Sequence, residues 1–420
     1  MNTLTKECDY HYNAVQINKN ERRVKRMKSL HKLYGEKPIS YYQIEYNVDK
    51  LFGEKDNACF CKEFIKEHYM RGKKKGLFSF DFYGEYSRQG KHVHTVSLYL
   101  LGKALHELFE NDIKEQLSTF LPEMKEWYYM GGDFLYTWYL TALFHDVASS
   151  IEAKQISEFV TEGEKRLETY LNNFNIKYIP YKRIERENEV YTIPARFSEN
   201  LIKNYFFYRA DHKLCEHGIL AGYLMLDRFT KEFRQNSYEG KRKFGKLKWH
   251  NEHLPHAAYI ADAIICHNIW MCSAGNEEEY QRYGLSQLIV EKHPEEKLSL
   301  KNFPLQFMLC LLDTIEPIKR FECENAKYIL THIYIEKCES GFVISWDKEL
   351  EKCKGFETWR SNIKHLSDWM KIQCEDETDC AISLEFDVKN EPTQRDSMDD
   401  SKVVPNVPEA ELLEIIKANN

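Results

Sequence analysis

Between residues 90 and 320, apolar positions recur at helical spacing in long stretches, divided by charged and aromatic connectors. Five stretches stand out: HTVSLYLLGKALHELF (94–109), FLYTWYLTALFHDVA (134–148), HGILAGYLMLDRF (217–229), AAYIADAIICHNIW (257–270) and PLQFMLCLLDTI (304–315). Each predicts a helix with a wide apolar face, and together they predict a bundle. Residues 162–200 are polar, with a strand-like piece at NEVYTIPARF, and read as an excursion covering the helical core. Pro317 lies four residues beyond Asp313 and removes the helical donor to the Asp313 carbonyl, so the last of the five helices should stop there.

After Arg320 the period changes. YILTHIYIEK and GFVISWD, separated by Cys338-Glu339-Ser340-Gly341, predict a hairpin. GFETWRSNIKHLSDWMKI predicts an amphipathic helix and CAISLEFDV another strand. The expected fold is therefore mainly α, a helical bundle with a small C-terminal α+β appendage. The expected divisions are a helical and basic extension at 1–87, the bundle at 88–320, the appendage at 321–388 and a flexible tail at 389–420. The tail is polar and Pro-containing up to PEAELLEIIKAN, a short helix with Pro in its first turn. No internal repeat is visible.

Composition narrows the function classes. Hydrophobic residues are 43% and aromatics 14%, ample for a large core. A net charge of -7 gives no global basic field for nucleic acid or a membrane surface. The basic runs at 18–37 and RGKKKG (71–76) read as a solvated arm and a loop, with nucleic-acid contact not favoured. No apolar run approaches the roughly 20 residues needed to span a bilayer, and the N-terminal residues lack an apolar signal core. Twelve cysteines without a CxxC pair give no zinc-ribbon spacing and read as reduced thiols, hence an expected cytoplasmic location. GxGxxG, P-loop and GxSxG patterns are absent.

Six polar residues lie inside the apolar stretches: His94, His145, Asp146, His217, His267 and Asp313. A buried carboxylate costs several kcal/mol unless something stabilises its charge. One buried histidine is ordinarily a satisfied core residue. Six such groups on five helical segments point instead to a metal site inside a bundle. Imidazole with carboxylate oxygen suits Mn, Mg, Fe, Ni, Co or Zn.

In chain order the pieces read HVHTVSLYLLG, LFHDVASS, CEHGILAG, AIICHN and LLDTIEPIKR. This order resembles the HD superfamily of metal-dependent phosphohydrolases over residues 88–320. The resemblance implies an HD-type bundle in which His94, His145, Asp146 and Asp313 hold one divalent ion. It implies that His217 and His267 hold a second, with Asp146 bridging and acting in catalysis. The implied reaction is hydrolysis of a phosphoester or phosphoanhydride, with a small phosphorylated partner, a nucleotide or cyclic nucleotide, favoured. Arg88 and Lys91 before His94, and Lys319 and Arg320 after Asp313, are candidates to neutralise phosphate charge. His92 competes with His94, which the following Leu-Leu-Gly register favours. His256, in WHNEHLPHAAY, is a candidate phosphate contact; at 11 residues, roughly 16 Å, from His267 it cannot share an ion with it. Trp138 and Trp270 could stack a nucleobase or pack in the core. Val147-Ala148-Ser149-Ser150 follow the pair. The Lys that the cyclic-di-nucleotide phosphodiesterase branch places there is therefore missing. Two other readings remain open: a di-iron oxygenase on the same cage, and a non-enzymatic nucleotide-sensing regulator using the C-terminal appendage.

Overall fold

The computed structural model describes residues 28–34, 91–109, 134–149, 166–186, 189–193, 195–214, 216–238, 253–272, 275–321, 326–338 and 340–386. The short piece at its start comprises strand β1 (Lys28–Ser29) and helix α1 (Leu30–Leu33). The helical body contains α2 (Lys91–Leu108), α3 (Phe134–Phe144), α4 (Arg166–Asn173), α5 (Glu199–Asp211), α6 (His217–Tyr238), α7 (His253–Cys266), α8 (Glu277–Arg282) and α9 (Pro304–Ile315). A two-stranded antiparallel hairpin, β2 (Arg183–Arg186) and β3 (Glu189–Thr192), lies within it. The chain continues through α10 (Ala326–Thr331), β4 (Ile333–Lys337), β5 (Gly341–Trp346), α11 (Phe356–Lys364), α12 (Leu366–Trp369), β6 (Ile372–Thr378) and β7 (Ala381–Phe386).

Helix–helix contacts are set by small residues where backbones must approach. Trp138 of α3 is fully buried with its indole against Gly102 of α2, and its Nε1 donates to the Tyr99 carbonyl at 3.2 Å. Gly218 and Gly222 do the same for α6 and α7. A Cβ at Gly222 would overlap the Ile265 side chain and lie 2.8 Å from the Ala261 carbonyl. Helix α5 starts where Ser198 accepts from Leu201 N, and α9 starts on Pro304, whose missing N–H costs nothing at a first turn. The polar excursion covers the core as expected. Tyr181, just before β2, donates to the buried Asp262 of α7 at 2.8 Å, pinning the segment down.

The expectation of a mainly α protein with a small appendage is corrected. Helix makes up 57% of the described residues, alongside a five-stranded antiparallel sheet in the order β1-β4-β5-β7-β6. The sheet is not appended to the bundle but shares its core. Phe386 of β7 meets Phe307 of α9 at 5.5 Å and Phe109, just past α2, at 6.0 Å between ring centroids. Trp359 of α11 donates to the Ile315 carbonyl at 3.0 Å, satisfying an orphan acceptor at the end of α9. The edge strand comes from the other end of the chain: Lys28 pairs with Ile335 and Ser29 with Tyr334. This part of the basic run is no solvated arm, since Leu30 and Tyr34 are 1% and 7% exposed. The expected tail at 389–420 lies outside the described residues.

Candidate metal centre

Five helices bring their ends to one point. His94 is in the first turn of α2, and His217 opens α6. His145 and Asp146 occupy the turn just past α3, and His267 follows the last residue of α7. Asp313 lies in the last turn of α9, which ends at Ile315 before Pro317.

His94 Nε2 is 3.0 Å from Asp313 Oδ1 and 3.2 Å from His145 Nε2, and His145 Nε2 is 3.5 Å from the same Asp313 oxygen. One atom from each of these three residues falls within 4.8 Å of the others, a spacing that could hold an ion. Asp146 faces both ways. Its Oδ2 is 3.7 Å from His94 and 3.6 Å from His145, while its Oδ1 is 3.1 Å from His217 Nε2. The His267 ring centroid lies 5.6 Å from that of His145 and 5.5 Å from that of His217. All six residues that the sequence singled out as ligands are thus gathered.

The fit to a cation follows from where the hydrogens must be. His145 Nδ1 lies 2.8 Å from the Ala142 carbonyl and His267 Nδ1 2.5 Å from the Ile264 carbonyl. In both cases the partner is the carbonyl three residues back, left without a helical donor at a helix end. His94 Nδ1 lies 2.7 Å from Glu316 Oε2. A carbonyl or carboxylate can only accept, so each Nδ1 carries a hydrogen and leaves Nε2 as the nitrogen able to ligate an ion. Three Nε2 atoms and two carboxylates therefore converge in a site where His94, His145, Asp146 and His267 are at most 4% exposed. His267 Nε2 is buried and has no hydrogen-bond partner among the described residues. Burial lowers the pKa of His145, against the pull of Asp146, and brings His267 down to about 3. Both rings are therefore neutral, the form that binds metal.

The open side of the centre is marked by partial exposure of His217 (18%) and Asp313 (16%). Lys319 stands there, its ammonium on Asp313 Oδ1. Burial alone would push the Asp313 carboxyl up; the Lys319 ammonium beside it helps hold it well below the usual carboxylate range. Lys319 thus meets the site through a metal-ligand candidate. Arg320 follows it, its Nε buried and without a hydrogen-bond partner among the described residues. Arg88 lies outside the described residues, and Lys91 is the first residue of α2. His256 is placed apart, buried in α7 with Nε2 2.9 Å from Thr137 Oγ1, and burial takes its pKa down to about 3. Trp138 packs in the core, whereas Trp270 is 42% exposed and meets Trp369 edge-on at 5.6 Å.

Sequence reasoning missed two supporting residues. Asn268 Nδ2 is 2.7 Å from His217 Nε2. Glu316, 0% exposed, holds His94 from behind. One signal for Glu316 was present: it lies three residues after Asp313 on the same helical side, at a C-terminus where an anion opposes the helix dipole. Comparison with protein-family models, curated proteins and solved structures yields no match, and the centre stands on its own geometry.

Proposed function

We propose that this chain is a metal-dependent phosphohydrolase of HD type, acting on a phosphoester or phosphoanhydride of a nucleotide. The observation that carries the reading is the gathering of His94, His145, Asp146, His217, His267 and Asp313 from five helix ends, with the Nε2 atoms of His94 and His145 turned toward Asp313 and that of His217 toward Asp146. His94, His145, Asp313 and Asp146 Oδ2 would hold one ion; Asp146 Oδ1, His217 and His267 would hold another. Divalent ions so held supply Lewis-acid stabilisation of phosphoryl oxygens and a more acidic water.

The chain's own residues supply the rest. The Ala142, Ile264 and Glu316 acceptors orient the three imidazoles, so their rings need not turn on binding. Asp146 stands between the two ligand groups with one oxygen toward each. Lys319 is the cation at the open side, where an arriving phosphate would be exposed to its ammonium. The buried apolar walls from α3, α7 and α9 exclude water from behind.

The test is metal analysis of purified protein, followed by a nucleotide panel with Mn, Mg, Ni and Co added. The paired change His145→Ala with Asp146→Ala should remove bound metal and hydrolysis together. A folded double variant with the parent's full metal content would defeat the assignment.

A further inference from the structure

The centre has a third layer, contributed by the N-terminal piece of the fold. Glu316 is completely buried and its two oxygens are fully engaged. Oε2 faces His94 Nδ1 at 2.7 Å, and Oε1 accepts from the Ile318 backbone at 3.0 Å. The Ser97 hydroxyl, one turn beyond His94 on α2, helps stabilise the charge of this carboxylate. Either atom could donate across the 3.3 Å contact between Tyr34 Oη and Ser97 Oγ, and with the Ser97 hydrogen turned to Glu316 the donor is the tyrosine. The result is a row of polar side chains, Tyr34 beside Ser97, Ser97 beside Glu316, and His94 on Glu316 from the other side.

Tyr34 reaches this position by a specific route. β1 pairs with β4 at the edge of the five-stranded sheet, Ser29 caps α1 by accepting from Lys32 N, and Leu30 is buried. Tyr34 follows α1 and is 7% exposed, held against α2. The sheet edge therefore delivers a hydroxyl to Ser97, 63 residues further along the chain and one turn past the ligand histidine.

We propose that Glu316 is the positioning residue of the metal centre and that Tyr34, anchored on the sheet edge, holds it through Ser97. The inference rests on the metal reading above. An anionic Glu316 makes the His94 ring more basic at Nε2 and fixes its tautomer, which is how outer-shell carboxylates raise metal affinity. Tyr34 and Ser97 keep that carboxylate in one rotamer and share the cost of burying its charge.

The test uses the full chain and cobalt(II) alone as the probe, titrated while the visible d–d spectrum is recorded. Glu316→Gln should weaken cobalt binding about 10- to 100-fold and alter the spectrum through His94. Tyr34→Phe, which keeps the packed ring, should weaken binding about 3- to 10-fold. In the double variant the Tyr34→Phe effect should vanish, because it acts only through Glu316. A purely packing role for Tyr34 would lower the melting temperature and leave the cobalt affinity and the cycle additive, and that result overturns the proposal. So does a Glu316→Gln protein with parental affinity and spectrum. If Glu316→Gln does not fold, Ser97→Ala replaces it in the same cycle with the same expectation. A folded parent that takes up no cobalt removes the metal reading itself, a failure distinct from an additive cycle in a cobalt-binding parent.

Discussion

Asp313→Asn keeps the shape of the side chain and removes one charge at the point where Lys319 and a metal would compete for it. In metal-free protein the Lys319 ammonium is the cation on this carboxylate, and both side chains are 16% exposed. Breaking a fully buried pair by deleting one partner costs about 3–5 kcal/mol; with water reaching both groups, roughly 1–3 kcal/mol is expected here. The folded-state pKa of Asp313 is depressed below its ordinary value. The contribution is therefore fully present above the unfolded value of about 3.9, and it is lost as pH falls through the folded one. In metal-bound protein the variant also loses a charged ligand. A tenfold weaker affinity at fixed, saturating metal adds about 1.4 kcal/mol to the penalty. The assay is urea unfolding of parent and variant at pH 7, in chelator and in excess Mn. The penalty should be present in chelator and larger by at least about 1.4 kcal/mol in Mn. Equal penalties in the two conditions would mean that Asp313 serves only as the partner of Lys319, and the ligand assignment would fall.

Two further outcomes follow from the packing and the buried histidines. Gly222→Ala should destabilise by about 1–3 kcal/mol in thermal denaturation, because its Cβ overlaps Ile265 and must push α6 from α7; an unchanged melting temperature would show that the two helices tolerate separation. His256 is buried with a pKa of about 3 against an ordinary 6.5, so only the unfolded chain takes up its proton as pH falls below 6.5. That uptake drains stability between pH 6.5 and 3 by up to about 1.4 kcal/mol per pH unit. His256→Gln, which can still bond Thr137, should therefore flatten the pH dependence in chelator by about 2 kcal/mol between pH 6.5 and 5; parallel curves would place the titration elsewhere.

Much of the helical body was legible because its helices are long and strongly periodic. HTVSLYLLGKALHELF falls within or at the end of α2, and PLQFMLCLLDTI coincides with α9. The β4–β5 hairpin and β7 were legible from alternation and a turn. Strand β6, with the sequence IQCEDET, was not. Its side chains are mostly polar, and its place in the sheet depends on pairing with β7 rather than on its own pattern. Helix α4 was hidden for the same reason in the polar excursion. β1 is two residues in a basic run, too short for any period.

The candidate ligands His94, His145, Asp146, His217, His267 and Asp313 were determined by the sequence alone, since polar groups inside apolar periodic segments are costly wherever those segments fold. Tertiary structure decided which of their atoms face inward. The tautomers of His145 and His267 depend on carbonyls orphaned at helix ends, and that of His94 on Glu316, 222 residues away. It decided that Lys319 sits on Asp313, and that a tyrosine from a basic N-terminal run stands behind the centre. A hydrophobic pattern records burial, which is a property of each residue in its own element. Hydrogen-bond direction and ion pairing are properties of pairs, and those pairs exist only once distant segments have been packed together.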